Sequence, residues 1–177
     1  MIVPSPNAEH VLTFCKGISK RSPFSVPIEP VVGEPMNECF HIVKEQVITH
    51  GGKGIIGWAI WEWPGVLIEA EFHMIWQAPD DSLIDITPKP HTFETITFLP
   101  DPKSEYRGRQ VDNIRKPLVK SLLVRKYIAA VQALIVEMNK GDLADYHGPV
   151  ELTPKLEKLR NKMLHLEKRV VDKYGRG

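Results

Sequence analysis

The chain has 177 residues, 42% of them hydrophobic and 25% charged, enough to bury one sizeable core and too few for two full domains. Its formal net charge is +1, but residues 1–100 carry 6 Lys/Arg against 12 Asp/Glu while residues 101–177 carry 17 against 10. The basic residues of the second half are interspersed with acids at helical spacing, which reads as a solvated face and argues against a nucleic-acid partner.

The first residues, MIVPSPNAEHVL, show no basic flank followed by an apolar run. No window approaches the roughly 18 apolar residues of a membrane helix, so a soluble, cytoplasmic chain without a membrane partner is expected. The pattern AEHVLTFCKGIS predicts a short helix capped by Asn7 and stopped by Gly17. Cys15 would sit at the negative end of that helix, where thiolate formation is opposed. Four prolines between residues 18 and 36 forbid a helix and predict an extended connection. From Asn37 the spacing of Phe40, Val43, Val47 and Ile48 predicts an amphipathic helix, with Asn37 as N-cap and Gly51-Gly52 as terminator. Cys39 then lies in the first turn, where free backbone N–H groups and the positive dipole end favour a thiolate.

Two strands follow, Ile55 to Trp63 and Val66 to Trp76, rich in branched and aromatic residues and joined by Pro64-Gly65. Alternation places Glu69, Glu71, His73 and Ile75 on one face of the second, with Phe72, Met74 and Trp76 on the other. A turn at Gln77–Asp81 leads to a third strand, Ser82 to Thr87; in that register Trp76 opposes Ser82 and His73 opposes Asp85, at about 5 Å between Cβ atoms. TFETITFLP extends the sheet. The stretch from Asp101 to Pro117 reads as a long polar connection in which Tyr106, Arg107 and Arg109 either contact a substrate or, as is commoner for a basic loop, are merely exposed. Leu118 to Met138 reads as a helix stopped by Gly141, followed by a loop over 142–149. A last helix opens at Thr153-Pro154 with Leu156, Leu159, Met163, Leu166 and Val170 as its apolar seam. That seam suits an αα-hairpin, with a homodimer through the last helix as the alternative. Residues 1–116 form the expected core and residues 117–177 a helical extension.

A cysteine at a helix start, a histidine in a strand and an aspartate in the next are the residue types of a thiol nucleophile, its base and the orienter of that base. Cys39-Phe40, His73-Met74-Ile75-Trp76 and Asp85-Ile86-Thr87-Pro88 together resemble the core of the transglutaminase-like branch of the papain-like cysteine enzymes. The resemblance covers about 50 residues. It implies an α+β fold in which an antiparallel sheet packs on an N-terminal catalytic helix, and acyl transfer on a protein or peptide amide, as protease, deamidase or transglutaminase. Cys39 would be nucleophile, His73 general base and acid, and Asp85 the orienter.

Papain-type relatives place an oxyanion-stabilising glutamine upstream of the cysteine, and no glutamine precedes Cys39. The remaining donors are the Cys39 N–H, the Asn37 side chain and the indoles of Trp58, Trp61 or Trp63. Glu71, with Glu69, either receives a basic substrate or forms a solvated sheet edge. The seven histidines include no HExxH, and the two cysteines form no CxxC pair, so neither metal nor cofactor is expected. The alternative to an enzyme is an inactive papain-like module that binds a protein or nucleic acid.

Overall fold

The computed structural model describes residues 1–36, 38–141 and 152–177, and shows an α+β protein with an antiparallel, nearly closed sheet. The elements, in chain order, are α1 (Glu9–Lys16), β1 (Phe24–Pro27), α2 (Cys39–His50), β2 (Lys53–Trp63), β3 (Leu67–Gln77), β4 (Leu83–Ile84), β5 (Thr95–Pro100), β6 (Ile114–Pro117), α3 (Leu122–Met138) and α4 (Pro154–Tyr174). Contacts divide the chain into two compact units, one of residues 3–61 and 70–106, the other of residues 1–2, 62–69 and 107–177. The expected loop at 142–149 lies outside the described residues.

In the first unit the strand order is β1-β5-β2-β3-β4. The proline-rich connection, predicted to be merely extended, contains β1, which pairs antiparallel with β5 from Phe24↔Phe98 to Pro27↔Thr95. Its prolines are tolerated because an edge strand leaves every second N–H unpaired. Beyond β1 the chain approaches the segment after β4. Ile28 and Asp85 form a parallel bridge, with Asp85 N–H donating to Pro27 O at 2.9 Å and Glu29 N–H to Asp85 O at 3.0 Å. This contact brings the two ends of the strand order together.

Two apolar clusters sit on opposite sides of β3, as its alternation predicts. Ile75 packs with Val26, Ala59, Trp61, Ile96 and Phe98. Met74 and Trp76 pack with Ile42 and Val43 of α2 and with Ile86. Burying side chains of this size is worth about 1.5–3 kcal/mol each, so a one-residue slip, which would reverse both faces, is strongly disfavoured. Gly57 shows how tight the Phe98 side is: a Cβ there would fall 2.6 Å from Phe98 Cζ and closer still to the Leu99 carbonyl oxygen. Gly57→Ala is therefore expected to cost about 1–3 kcal/mol of stability, read as a lower urea midpoint with an unchanged slope.

α2 stops as expected, with Gly51 at φ 77° and its N–H on Val47 O. Its start differs, since the capping position is Glu38, which makes no side-chain cap bond, and Asn37 lies outside the described residues. In α1 the cap is Ala8, not Asn7. Cys15 is buried there, and burial raises its thiol to about 11. Desolvation thus opposes thiolate formation at Cys15.

In the second unit the supposed polar connection holds β6, which pairs with β3. The contact is fixed by Leu118 N–H on Val66 O at 2.8 Å. Glu69 is no solvated edge: it accepts from Asn113 Nδ2 at 2.8 Å and Arg115 Nε at 2.5 Å, and Arg115 also meets Asp112 at 2.7 Å. α3 begins at Leu122, capped by Ser121, and ends at Met138 before Asn139. Thr153 caps α4 by accepting from Leu156 N–H at 3.2 Å. Val124 and Ile128 of α3 cluster with Val170 of α4, so the two helices form the expected αα-hairpin.

Candidate active site

Cys39 occupies the first position of α2 and is only 5% exposed. At that position its N–H has no acceptor within the helix. The neighbouring Phe40 ring stacks on Tyr106 at 3.8 Å and 11° and meets Phe72 at 5.2 Å. Burial, then the charges of Glu38 and Cys39, raise the pKa of the Tyr106 phenol. These aromatic contacts cover the start of the helix.

His73 and Asp85 are brought together, though not by the expected register. The pairing is Trp76↔Ile84 and Gln77↔Leu83, two residues away from Trp76 opposite Ser82. An even shift keeps every side chain on its face, so Asp85 becomes a diagonal neighbour of His73, still within side-chain reach. His73 Nε2 lies 3.0 Å from Asp85 Oδ1, with the two residues 2% and 0% exposed. Asp85 Oδ1 also accepts from Thr87 N–H at 3.1 Å.

The third member is Lys89, absent from the sequence-based set. Its Nζ is 2.8 Å from Asp85 Oδ2 and 3.4 Å from His73 Nε2, with the side chain 8% exposed. The Oδ2 contact is an ion pair without hydrogen-bond alignment, since Oδ2 is otherwise unpartnered. A lysine four residues after an aspartate was the available signal, but the pattern is too common to single out a buried cation.

Burial lowers the proton affinity of His73, but Asp85 and then Cys39 raise it against the opposing charge of Lys89, and the net pKa is up, at about 10. Cys39 is thus near enough for its charge to bear on the imidazole, although no hydrogen bond joins the two. Asp85 would be raised by burial, yet His73 and Lys89 hold it below the carboxylate range. The raised imidazole stabilises the fold fully below its ordinary 6.5 and ceases to do so as pH rises towards 10. The depressed carboxylate stabilises above its ordinary 3.8, and that contribution is lost at lower pH. The urea midpoint should therefore peak between pH 4 and 6.5 and fall on both sides; a flat profile from pH 3 to 10 would contradict the buried pair.

Other proposed donors are already engaged. Trp58 Nε1 donates to Asp101 Oδ2 at 3.1 Å, and Trp61 Nε1 donates to Glu71 Oε2 at 2.6 Å. Neither indole is free for an oxyanion, and Glu71 is half-buried against Trp61, not a solvated edge. Trp63 Nε1 is buried without a partner, but Trp63 belongs to the other unit. A groove of about 580 Å³, bordered by Arg21, Phe24, Ile55 and Leu83, contains none of Cys39, His73 or Asp85. Among the described residues no cluster of three His, Cys, Asp or Glu could hold a metal. No helix among them is long and apolar enough to cross a membrane. Comparison with protein-family models, curated proteins and solved structures finds no match to this chain.

Proposed function

We propose that the chain is a cysteine-dependent acyl-transfer enzyme acting on a protein or peptide amide, with Cys39 as nucleophile, His73 as base and acid, and Asp85 as orienter. The observation that carries this reading is the buried His73–Asp85 pair, 3.0 Å apart, with Cys39 at a helix start within its electrostatic reach. Nε2 of His73 faces Asp85, and the proposed reaction uses Nδ1. The Cys39 thiolate attacks the amide carbon and the C=O electrons move onto oxygen, near the Cys39 N–H. As they return, the C–N bond breaks and the His73 imidazolium gives its proton to the departing amine. A water that loses a proton to His73, or a second amine, then attacks the thioester and releases the thiol. A Cys39–His73 hydrogen bond is not formed in the free protein, and bonds of this kind tighten when substrate binds.

A non-catalytic binding module is the second reading, favoured by the burial of Cys39 and by the ion pair of Lys89 with Asp85. Alkylation separates the two. A catalytic Cys39 should react with iodoacetamide under native conditions well below pH 8, and His73→Ala should abolish that low-pH reactivity. If Cys39 is modified only in denaturant, the acyl-transfer reading fails.

A further inference from the structure

We propose that Lys89 is a positioning residue that sets the charge state of His73 by sharing the Asp85 carboxylate with it. The inference deepens the acyl-transfer reading and rests on it for its use. Asp85 has two oxygens with divided duties. Oδ1 receives His73 Nε2 at 3.0 Å and Thr87 N–H at 3.1 Å, while Oδ2 faces Lys89 Nζ at 2.8 Å. The carboxylate plane is thereby held at both ends, and its charge is divided between two cations.

Lys89 also touches the imidazole itself, 3.4 Å from Nε2. With the whole cluster out of water, an ammonium at that distance opposes an imidazolium more strongly than a surface lysine would. The groups bearing on His73 are Asp85 and Lys89 from the segment after β4 and Cys39 from α2. Burial opposes the charged ring, Asp85 and Cys39 favour it, and Lys89 adds its charge to the opposing side. With Lys89 in place the ring already holds its proton more tightly than an ordinary imidazole, and without it the imidazolium would be favoured further. Lys89 supplies the counterweight, and its place two residues after the buried Thr87, between Pro88 and Pro90, restricts the backbone that carries it.

The test follows the His73 ring nitrogens by ¹⁵N NMR in the full chain, at the pH where wild type is half titrated. In Lys89→Met the imidazolium-to-imidazole ratio should rise by at least about tenfold, one pH unit. Lys89→Arg, which keeps the charge, should stay near wild type. Where Lys89→Met does not fold, Lys89→Gln retains a donor to Asp85 without the charge and should show the same rise. An unchanged ratio in a folded, uncharged variant overturns the inference, whatever Cys39 does. A raised ratio together with a Cys39 that never reacts natively supports the role of Lys89 and removes the acyl-transfer reading instead.

Discussion

Asp85→Ala is expected to lower the free energy of unfolding by about 3–5 kcal/mol, because it strands two buried cationic groups without their counter-charge. His73 and Lys89 both point at this one carboxylate, and their side chains are 2% and 8% exposed. Either the imidazole and ammonium stay charged and unpaired, or they give up protons that Asp85 held on them; both routes cost the folded state. The same substitution also loses the Oδ1 bond to Thr87 N–H, a group just past the closing bridge between Ile28 and Asp85. Asp85→Asn preserves the shape and an acceptor, so it should cost less than Asp85→Ala but more than an exposed ion pair. Urea unfolding near pH 6 decides the matter. A loss below about 1 kcal/mol is the size of an exposed ion pair and would mean that water reaches the cluster.

The second large effect concerns turnover. If the proposed reaction is right, His73→Gln should slow cleavage of a peptide p-nitroanilide by about 10²- to 10⁴-fold, the usual contribution of a positioned acid–base group. Cys39→Ala should leave no acyl-enzyme at all. Glutamine fills similar space and can still bond Asp85, so the fold should survive, which near-identical amide NMR spectra would establish. Mass spectrometry after acid quench should find the acyl group on Cys39 in wild type. Acyl transfer that persists undiminished in His73→Gln, or an acyl group found on Cys15, would remove the assignment.

Much of the fold could be read from periodicity. The helices at Cys39–His50 and Pro154–Tyr174 and the hairpin of β2 and β3 follow from spacing and turn residues. The strands that escaped were β1, masked by prolines, and β6, masked by polar residues whose partners lie on a distant strand. In the site, His73 and Asp85 were legible because alternation survives a register error of two. The engagement of Trp61 by Glu71 was legible in principle, since both flank the β2–β3 turn on one face. That of Trp58 by Asp101 was not, because the partners are 43 residues apart and only the fold joins them. Lys89 escaped for a different reason: from sequence alone a lysine between two prolines reads as exposed, and its burial follows from the path of the chain after β4.

The bridge between Ile28 and Asp85 has a consequence for the order in which the chain assembles. β2, β3 and β4 are sequential neighbours joined by tight turns, so they can zip locally within microseconds. The contacts of β1 with β5, and of Ile28 with Asp85, join distant parts of the chain and carry a larger loop-closure entropy. His73 and Asp85 sit on the early side of that division and the Pro27 acceptor for Asp85 N–H on the late side. The ion cluster can therefore meet while still wet, before Asp85 N–H gains its Pro27 acceptor.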